Sequence, residues 1–509
     1  MKVGQGSARL PCLRRRCQDL SGNRNARSTS PLLPLFVLCL TVYLFSAGGH
    51  FYVVDHVIVY STTQAIAERG SLNIAPELGF FAKLFPNIFP WFSPESTSVF
   101  YSSYGLLQSF LAVPLYLAAK WAGVQPWRVV TTILVPLLSA ITVCLVYAIS
   151  RRLGDRPTTS LILSLLYGFT TIAWPYVKFF YDSPTATMMV VASLYFLFDG
   201  SARRRSILLS GLFATLAVFG RVTAILVLPA MILYAACKPH VRFRERVMNV
   251  GTFLLPVAMA ALIYGYLNLA RNGSPVNLGL IYESINPFAI PINQYLVGIY
   301  GMLLSSGEGL FVYYPLCALG FLALLSSRPE RRWESFVLCE FFLVTLLFFA
   351  RLPFWYGWGA WGARYLVPTV PCLIVALGPF IESNGKPIAG KLAVAGAATI
   401  GFFCNLLGVL INYEYAQAYL FDIGAFSNYP EPGIWIPRFS QVAACWHLLW
   451  SPTYPANFYP YVSEFFFFKS RLDLYLYNTY GLYALVFFCD IVLLVSFWLV
   501  VTVRRNVPD

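Results

Sequence analysis

Residues 50–74 read HFYVVDHVIVYSTTQAIAERGSLNI and begin a few residues after a strongly apolar segment ends. An acid, Asp55, lies between two valine-rich pieces, just where the chain would leave a membrane. A carboxylate at that depth costs free energy, so such residues are usually retained for a function. The side of the membrane on which Asp55 lies therefore decides how the rest of the sequence is interpreted.

The composition indicates a membrane protein. The 509 residues are 58% hydrophobic and only 11% charged, whereas soluble domains carry roughly 25% charged residues. Many apolar runs approach the ~20 residues that a helix needs to cross a bilayer. These runs are continuous rather than alternating, which favours helices over a barrel. We therefore predict an all-α polytopic membrane protein, and we interpret the net charge of +14 as topology, not as nucleic-acid binding.

The charge distribution predicts the topology. We expect about twelve transmembrane helices, at 32–48, 127–150, 158–178, 184–198, 206–220, 222–237, 248–268, 309–326, 335–350, 365–381, 391–412 and 479–503. The basic N-terminus should be cytoplasmic by the positive-inside rule. With alternating crossings from there, 24 of the 36 Lys and Arg residues are inside and 12 are outside. Both termini are then cytoplasmic, and Asp55 faces outward.

The predicted organisation has four parts. A basic cytoplasmic N-terminus (1–31) precedes a transmembrane module (32–412) whose first outer loop spans 49–126. An outer loop rich in aromatic residues (413–476) follows, and the last helix with a short cytoplasmic tail (477–509) completes the chain. The first crossing could instead be a signal peptide, because FSAGG (45–49) roughly resembles a cleavage site. Asp55 is outside under either interpretation.

One further apolar segment, YSSYGLLQSFLAVPLYLAAKW (101–121), is long enough to cross the membrane. If it crossed, every later loop would change sides, and the arginine-rich loops at 151–156 and 201–206 would face outward. Pro114, Gln108 and Ser109 also interrupt its apolar character. We therefore predict that it lies along, or dips into, the outer face of the membrane. The alternative is a true crossing paired with a second crossing that the pattern hides.

The reactive residue types exclude several classes of site. Most of the eleven cysteines lie inside apolar segments, where a thiol behaves as a small hydrophobic group. The four histidines are too scattered to predict a metal cluster. There is no Walker phosphate-binding loop, so the chain does not resemble an ATP-driven pump.

The predicted outer face collects acids and arginines. Asp55 follows the first crossing, Asp182 lies in WPYVKFFYDSP (174–184), Arg221 lies in VFGRVT (218–223), and Arg364 lies in RLPFWYGWGAWGARYL (351–366). A carboxylate can accept a proton from a hydroxyl or bind a divalent cation. An arginine fork matches a phosphate. Acids opposite arginines at one membrane surface suit a reaction on a phosphate-linked lipid.

Structural interpretations remain open for the same residues. Asp182 could cap the helix that follows it, with Pro184 in the first turn. Arg221 could extend its guanidinium to lipid headgroups. The tryptophans and glycines before Arg364 suit either a sugar-binding surface or an interfacial belt.

Five motifs occur in order, each weak alone: GGHFYVVDHVIVYSTTQAIAERGSL (48–72), YSSYGLLQS (101–109), WPYVKFFYDSP, SSGEGLFVYYP (305–315) and WGARYLVPTVP (361–371). Together they resemble the GT-C superfamily of membrane glycosyltransferases. Within it they are similar to protein O-mannosyltransferases, to the lipid A aminoarabinose transferase, and above all to an uncharacterised bacterial branch.

The resemblance implies roles for individual residues. Asp55 takes the catalytic position, as general base or as metal ligand, and Asp182 corresponds to the second-loop acid. We choose Arg221 and Arg364 as the residues that bind the donor phosphate. Segments 57–70 and 101–121 correspond to juxtamembrane helices of the first outer loop. As substrate-lining candidates we add His50, Tyr104, Glu283, Glu308, Trp361 and Tyr365.

The implied activity is transfer of a sugar from a polyprenyl-phosphate donor, with inversion, at the outer face of a bacterial inner membrane within cell-envelope assembly. The acceptor is undetermined, no cofactor is certain, and a divalent cation is left open, with Asp55 as its ligand. The partners are the lipid-linked sugar and membrane lipids. Alternatives are a transporter or flippase for such a lipid, and a non-catalytic cell-envelope assembly protein.

Three residues depart from the pattern of the resembling proteins. Glu308 and Ser103 stand where those proteins usually carry lysine, and Asp182 replaces a more usual glutamate. If those lysines contact phosphate, this chain has two fewer cations in the site. Such a change is expected either for a different donor or for lost activity.

Overall fold

The computed structural model describes residues 30–84, 92–93, 96–199, 203–237, 242–277, 291–326, 329–357, 360–382, 388–425, 432–451 and 472–505. Across these ranges the secondary structure is helical, and the extended pairings are two isolated β-bridges, Asn73 with Tyr101 and Ile411 with Leu472. The all-α prediction is therefore confirmed. Glu283, which was predicted to line the substrate site, lies outside the described residues.

The helices of the N-terminal half are α1 (Leu32–Ser46), α2 (Val54–Arg69), α3 (Ala75–Leu84), α4 (Leu106–Trp121), α5 (Pro126–Arg152), α6 (Pro157–Thr170), α7 (Asp182–Leu197), α8 (Arg204–Gly220), α9 (Leu228–Cys237) and α10 (Phe243–Asn272). Short 3-10 turns lie at Pro175–Val177 and Val222–Val227.

The helices of the C-terminal half are α11 (Ile292–Leu304), α12 (Leu310–Tyr313), α13 (Pro315–Leu325), α14 (Arg332–Ala350), α15 (Val370–Val375), α16 (Gly378–Glu382), α17 (Ile388–Leu410), α18 (Tyr413–Asp422), α19 (Pro432–Trp435), α20 (Gln441–Trp450), α21 (Tyr475–Tyr480) and α22 (Leu482–Arg505). Further 3-10 turns lie at Pro329–Arg331, Arg364–Thr369 and Pro437–Phe439.

Six helical segments are long and apolar enough to cross a bilayer: Pro126–Arg152, Phe243–Asn272, Arg332–Ala350, Arg364–Glu382, Ile388–Leu410 and Leu482–Val503. The first of these has 67% of its apolar window buried inside the protein, whereas the last has only 11%. Since apolar side chains outside the protein core need lipid around them, α5 is an interior helix and α22 lies at the periphery. The chain is an integral membrane protein. Three further predicted crossings, at 32–48, 222–237 and 309–326, correspond to the shorter apolar helices Leu32–Ser46, Val222–Cys237 and Pro315–Leu325.

One predicted helix end was wrong, and one helix was not predicted. The helix predicted at 158–178 ends at Thr170, because Thr171 adopts extended backbone and the hydroxyls of both threonines bond back to carbonyl groups one turn earlier. The segment from 171 to 181 is therefore irregular. The stretch between the crossings predicted at 248–268 and 309–326 also contains an unexpected helix, α11, whose Gly298 and Gly301 lie against Ala350 and Trp355.

The segment 101–121 forms a helix only from Leu106 onward, with Pro114 inside it. Its polar residues face the protein: Gln108 donates to the carbonyl oxygen of Phe180 at 3.0 Å, and Ser109 donates to that of Val59 at 3.0 Å. These bonds attach α4 to α2 and to the irregular segment. The in-plane orientation of α4 stays a prediction.

A close backbone contact joins the start of α4 to the end of α8. A Cβ atom added at Gly105 would lie only 2.0 Å from the carbonyl oxygen of Gly220 and 2.6 Å from that of Phe219. Because Arg221 follows Gly220 in the chain, this contact also positions the backbone from which the Arg221 side chain extends.

We expect Gly105→Ala to lower the free energy of unfolding by about 1–3 kcal/mol, because the added methyl group must push two backbone segments apart. Gly251→Ala, inside α10 with nothing within 4 Å of the added atom, is the matched control and should be neutral or stabilising by up to about 1 kcal/mol. Thermal unfolding in detergent measures both, and equal melting temperatures would contradict the close contact.

Candidate functional site

Asp55 lies in the first turn of α2 and forms an ion pair with Arg364, at the start of the 3-10 turn Arg364–Thr369. The Arg364 Nη2 atom donates to Asp55 Oδ2 at 2.7 Å. The hydroxyl of Tyr104 is a further hydrogen-bond partner of this carboxylate. Asp55 is still 24% exposed and Arg364 11%, so solvent reaches the pair.

The surroundings keep Asp55 ionised. Burial alone would raise the pKa of its carboxyl group, but Arg364, Tyr104 and His56 outweigh burial and lower that pKa below its ordinary value. Burial lowers the pKa of His56 to about 3, so its imidazole is neutral. His56 Nδ1 accepts the backbone N–H of Tyr52 at 3.3 Å, which leaves the proton on Nε2. Among the described residues that Nε2 atom has no hydrogen-bond partner.

A second ion pair joins Asp182, the first residue of α7, to Arg221, the residue after α8. Arg221 Nη1 donates to Asp182 Oδ1 at 2.9 Å and also to Ser183 Oγ. Its Nε atom donates to Thr223 Oγ1 at 3.2 Å. The Asp182 carboxylate thus accepts from Arg221 and, at 3.5 Å, from the hydroxyl of Ser183, and neither of these bonds is a helix cap.

Two tyrosines, each adjacent in sequence to a member of one ion pair, contact the arginine of the other pair. Arg364 places its guanidinium 4.1 Å from the ring centroid of Tyr181, the residue before Asp182. Arg221 lies 5.7 Å from the ring centroid of Tyr365, the residue after Arg364. Cation–ring contacts at these distances are attractive. We call Asp55, Arg364, Asp182 and Arg221 the double ion-pair site, because each arginine contacts the neighbour of the other pair.

The hydroxyl of Tyr176 lies near the site and has no hydrogen-bond partner among the described residues. The Tyr176 side chain is buried. Arg364, Glu308, Arg221 and Tyr365 all act on it electrostatically. Buried polar groups are normally hydrogen-bonded. The Tyr176 hydroxyl is therefore available to a ligand or to water.

The other predicted site residues occupy different positions. Tyr104 and Tyr365 contact the double ion-pair site, through Asp55 and Arg221 respectively. The Tyr365 ring also stacks on Phe349, with 4.1 Å between the ring centroids. Glu308 is buried beside Tyr176. Trp361 is buried against Tyr313, with no described partner for its indole N–H. His50 is fully buried and bonds to Asp473.

Two polar residues near the site were not predicted. Arg271, in the last turn of α10, donates to the carbonyl oxygen of Ser102 at 3.3 Å, and its Nε atom has no partner among the described residues. Tyr264 interacts with both Arg271 and Asp182, which places this third guanidinium beside the second pair. The sequence signal was a basic residue in RNGSPV, at an outer helix end.

Glu414, in the first turn of α18, acts electrostatically on Tyr52, Tyr181 and Tyr413. Its carboxylate therefore lies on the Tyr181 side of the double ion-pair site. No local pattern distinguishes Glu414 from other acids of the long outer loop, so the sequence carried no signal for this role.

The described residues contain no group of three or more His, Cys, Asp and Glu side chains that could hold a metal ion. A divalent cation bound by Asp55 stays a prediction. The arrangement combines two carboxylates that are paired with arginines, a third guanidinium, and hydrogen-bonding atoms without a partner among the described residues. Such a set can accept a proton and can bind a phosphate group.

Comparison with known proteins agrees with this chemistry. Residues 115–264 match the family described as dolichyl-phosphate-mannose-protein mannosyltransferase. No curated protein sequence matches the chain significantly.

Several solved structures are similar at low identity. ArnT from Cupriavidus metallidurans bound to undecaprenyl phosphate has a TM-score of 0.48 and 14% identity, covering 81% of this chain and 75% of that one. The Archaeoglobus fulgidus oligosaccharyltransferase AglB with an inhibitory peptide and a dolichol-phosphate has a TM-score of 0.43 and 12% identity, covering 78% and 58%. The oligosaccharyltransferase complex with Zn and sulfate has a TM-score of 0.45 and 12% identity, covering 79% and 56%. This chain spans little more than half the length of the oligosaccharyltransferases.

The family match covers residues 115–264, and over that stretch it confirms the predicted resemblance to lipid-phosphate-dependent membrane glycosyltransferases.

Proposed function

We propose that this protein transfers a sugar from a polyprenyl-phosphate donor to an acceptor at the outer face of the membrane, with inversion at the anomeric carbon. The observation that carries this proposal is the double ion-pair site. The ionised carboxylate of Asp55 lies 2.7 Å from Arg364, and a second ion pair adjoins this one. The family description supports a lipid-phosphate donor. The nature of the sugar and of the acceptor is left open.

The donor phosphate would bind between the arginines. A guanidinium has five N–H donors, and Arg364 directs one strongly to Asp55 and a second weakly to the Gly357 carbonyl oxygen at 3.4 Å. Its Nε atom has no described partner, and the same is true of Arg271. Arg364 and Arg271 therefore keep donors for a phosphate while their existing bonds are retained. Two cations from these arginines would offset the lysines that Glu308 and Ser103 replace.

Asp55 would act as the general base. The acceptor hydroxyl would transfer its proton to the Asp55 carboxylate while its oxygen bonds to the anomeric carbon and the bond from that carbon to the phosphate oxygen breaks. The arginines would stabilise the charge that develops on the departing polyprenyl phosphate. As the phosphate engages Arg364, that arginine would stabilise the carboxylate less, which would make Asp55 a stronger base at the moment of transfer.

Glu414 is a further acid near the site, and its protonation state makes it unsuitable as the base. Burial raises the pKa of its carboxyl group to about 8, so the group is mostly protonated at neutral pH. A protonated carboxyl group can donate a hydrogen bond to a sugar hydroxyl. We propose that Glu414 contacts the sugar and that Asp55 takes the proton.

The membrane placement is part of the proposal. Twelve crossings with α4 at the outer surface bring the double ion-pair site to the outer face, with both termini cytoplasmic in a bacterial inner membrane. The distribution of 24 inner and 12 outer Lys and Arg residues supports this arrangement. If a divalent cation is used, Asp55 is the residue that would hold it. A transporter of the same lipid would use the same site without breaking the sugar bond.

The first experiment concerns the base. We expect Asp55→Asn to lower sugar transfer by about 10²-fold or more, since proton transfer by a positioned base contributes ~10²–10⁴-fold. The measurement is release of polyprenyl phosphate from polyprenyl-phosphate sugars by the purified protein. Glu68→Gln is the matched control, because Glu68 lies on the same helix and bonds to Lys120. Unchanged transfer by Asp55→Asn would refute the base assignment, and donor binding without release by the unmodified protein would favour a transporter.

The second experiment concerns the phosphate. We expect Arg364→Lys to weaken binding of undecaprenyl phosphate by about 10- to 100-fold, because lysine lacks the planar fork and a charged hydrogen bond contributes about 1.5–3 kcal/mol. Titration of the lipid into detergent-solubilised protein, followed by native mass spectrometry, measures the affinity. Arg69→Lys is the control, since Arg69 lies on the same helix as Asp55 and pairs with Glu77 of the next helix. Equal affinities would show that the phosphate binds elsewhere.

The third experiment concerns Glu414. Its folded-state pKa is raised to about 8, so between about pH 4.5 and 8 the folded protein holds a proton that the unfolded chain has released. Stability must then fall as the pH rises through this window. We expect Glu414→Gln, which cannot titrate, to have nearly the same melting temperature as the unmodified protein at pH 4.5 and a higher one at pH 8. Glu68→Gln should show no such gain, because Lys120 and Tyr116 lower the pKa of Glu68. A constant difference across the window would disprove the shift.

A further inference from the structure

A buried cluster of charged and polar side chains lies beside the double ion-pair site and takes no part in the proposed chemistry. Asp473 is its centre. The carboxylate accepts hydrogen bonds from Lys178 Nζ at 2.5 Å and from Tyr52 Oη at 2.6 Å, and it bonds to His50 Nε2 at 2.7 Å. All four side chains are at most 2% exposed. We call them the Asp473 cluster.

The cluster contacts three separate parts of the site wall. His50 and Tyr52 immediately precede α2, whose first turn carries Asp55. Lys178 lies in the irregular segment between Tyr176, on which both arginines act electrostatically, and Tyr181, whose ring contacts Arg364. Each of these positions is within a few residues of a group that the proposed reaction uses.

The third part of the wall is the junction of α17 and α18. Lys178 Nζ also donates to the carbonyl oxygen of Val409 at 2.7 Å. The backbone N–H of Asp473 donates to the carbonyl oxygen of Leu410 at 2.8 Å, and Ile411 pairs with Leu472. This junction leads directly into α18, which carries Glu414. The same carboxylate therefore joins segments around residues 50, 178 and 410.

Stability alone does not account for such a cluster. Removing two charges from water costs several kcal/mol for each ion, and an apolar replacement of a buried ion pair is often neutral or stabilising. What a buried, directional set of bonds supplies is one defined arrangement of the segments that carry it. Tyr52 connects the cluster to the first turn of α2, since its backbone N–H bonds to His56, the neighbour of the proposed base Asp55.

We propose that the Asp473 cluster is a positioning device that holds the Asp55 turn, the 176–181 segment and the start of α18 in register. Asp473 is a positioning residue, since its partners Lys178, Tyr52 and His50 have no role in the proposed reaction. The consequence for sugar transfer rests on the proposed function, whereas the coupling of the three segments does not. The inference also extends the catalytic unit: residues after 471 complete a site whose other members all precede residue 415.

The test compares Asp473→Asn with Asp155→Asn. Asp155 is a matched control, because it is equally buried and pairs with Arg331 at 2.8 Å in another part of the protein. Hydrogen–deuterium exchange of the full-length protein in detergent reports on peptides covering 50–60, 174–184 and 409–416. We expect all three peptides of Asp473→Asn to exchange at least about tenfold faster together, and those of Asp155→Asn to exchange as in the unmodified protein. Acceleration confined to residues 472–478 would overturn the proposal.

A second measurement separates positioning from loss of fold. At saturating donor, Asp473→Asn should lower kcat by at least tenfold relative to Asp155→Asn, even where the two melting temperatures agree, and Asp473→Glu should recover part of that loss. Equal kcat values for the two asparagine variants would overturn the proposal. If the unmodified protein binds no undecaprenyl phosphate and transfers no sugar, the proposed function fails, and the exchange experiment still decides the positioning role.

If Asp473→Asn does not fold, Tyr52→Phe replaces it, because this change removes only the 2.6 Å hydrogen bond and keeps the ring. Faster exchange in the same three peptides would support the cluster as a positioning device. Exchange that matches the unmodified protein in all three would contradict it.

Discussion

The ion pair between Asp55 and Arg364 is the interaction on which the site depends. It joins residues 309 positions apart in the sequence, at the first turn of α2 and at the first residue of a proline-containing 3-10 turn. Burial by itself would favour a neutral Asp55, and the guanidinium is the largest influence that reverses this effect. The ionised carboxylate that the proposed mechanism needs is thus a product of long-range packing, because no neighbour in the sequence supplies an equivalent charge.

The contacts between tyrosines and arginines that connect the two ion pairs depend on irregular backbone. Tyr181 and Arg364 are both just outside regular α-helices, as is Arg221. Irregular backbone at membrane depth is tolerated where it lines a cavity or is enclosed by protein. The hydrogen bonds of Gln108 to Phe180 and to Thr185 help to satisfy this part of the chain. A regular helix through 171–181 would have carried Tyr176, Lys178 and Tyr181 on different faces, away from their present partners.

Much of the fold followed from local patterns, and particular failures have identifiable causes. Apolar runs such as 127–150 and 391–412 predicted helices that the structure contains, since length and hydropathy are local properties. The end of α6 was misplaced because apolar residues continue past Thr171, where the backbone changes direction. Helix α11 was missed because its thirteen residues are shorter than a membrane crossing, and packing of its glycines against Ala350 and Trp355 contributes what length does not. Arg271 and Glu414 were missed because each resembles an ordinary polar residue at a helix end.

The sequence by itself determined that the chain is a helical membrane protein, that its acids and arginines collect on one predicted face, and that its motifs resemble those of GT-C glycosyltransferases. These conclusions need only composition, spacing and charge count. The tertiary structure alone decided which acid meets which arginine, that Tyr181 and Tyr365 connect the two pairs, and that Asp473 lies behind them. The physical reason is that ion pairs and cation–ring contacts act over a few ångströms between residues that are hundreds of positions apart, and sequence spacing carries no information about that distance.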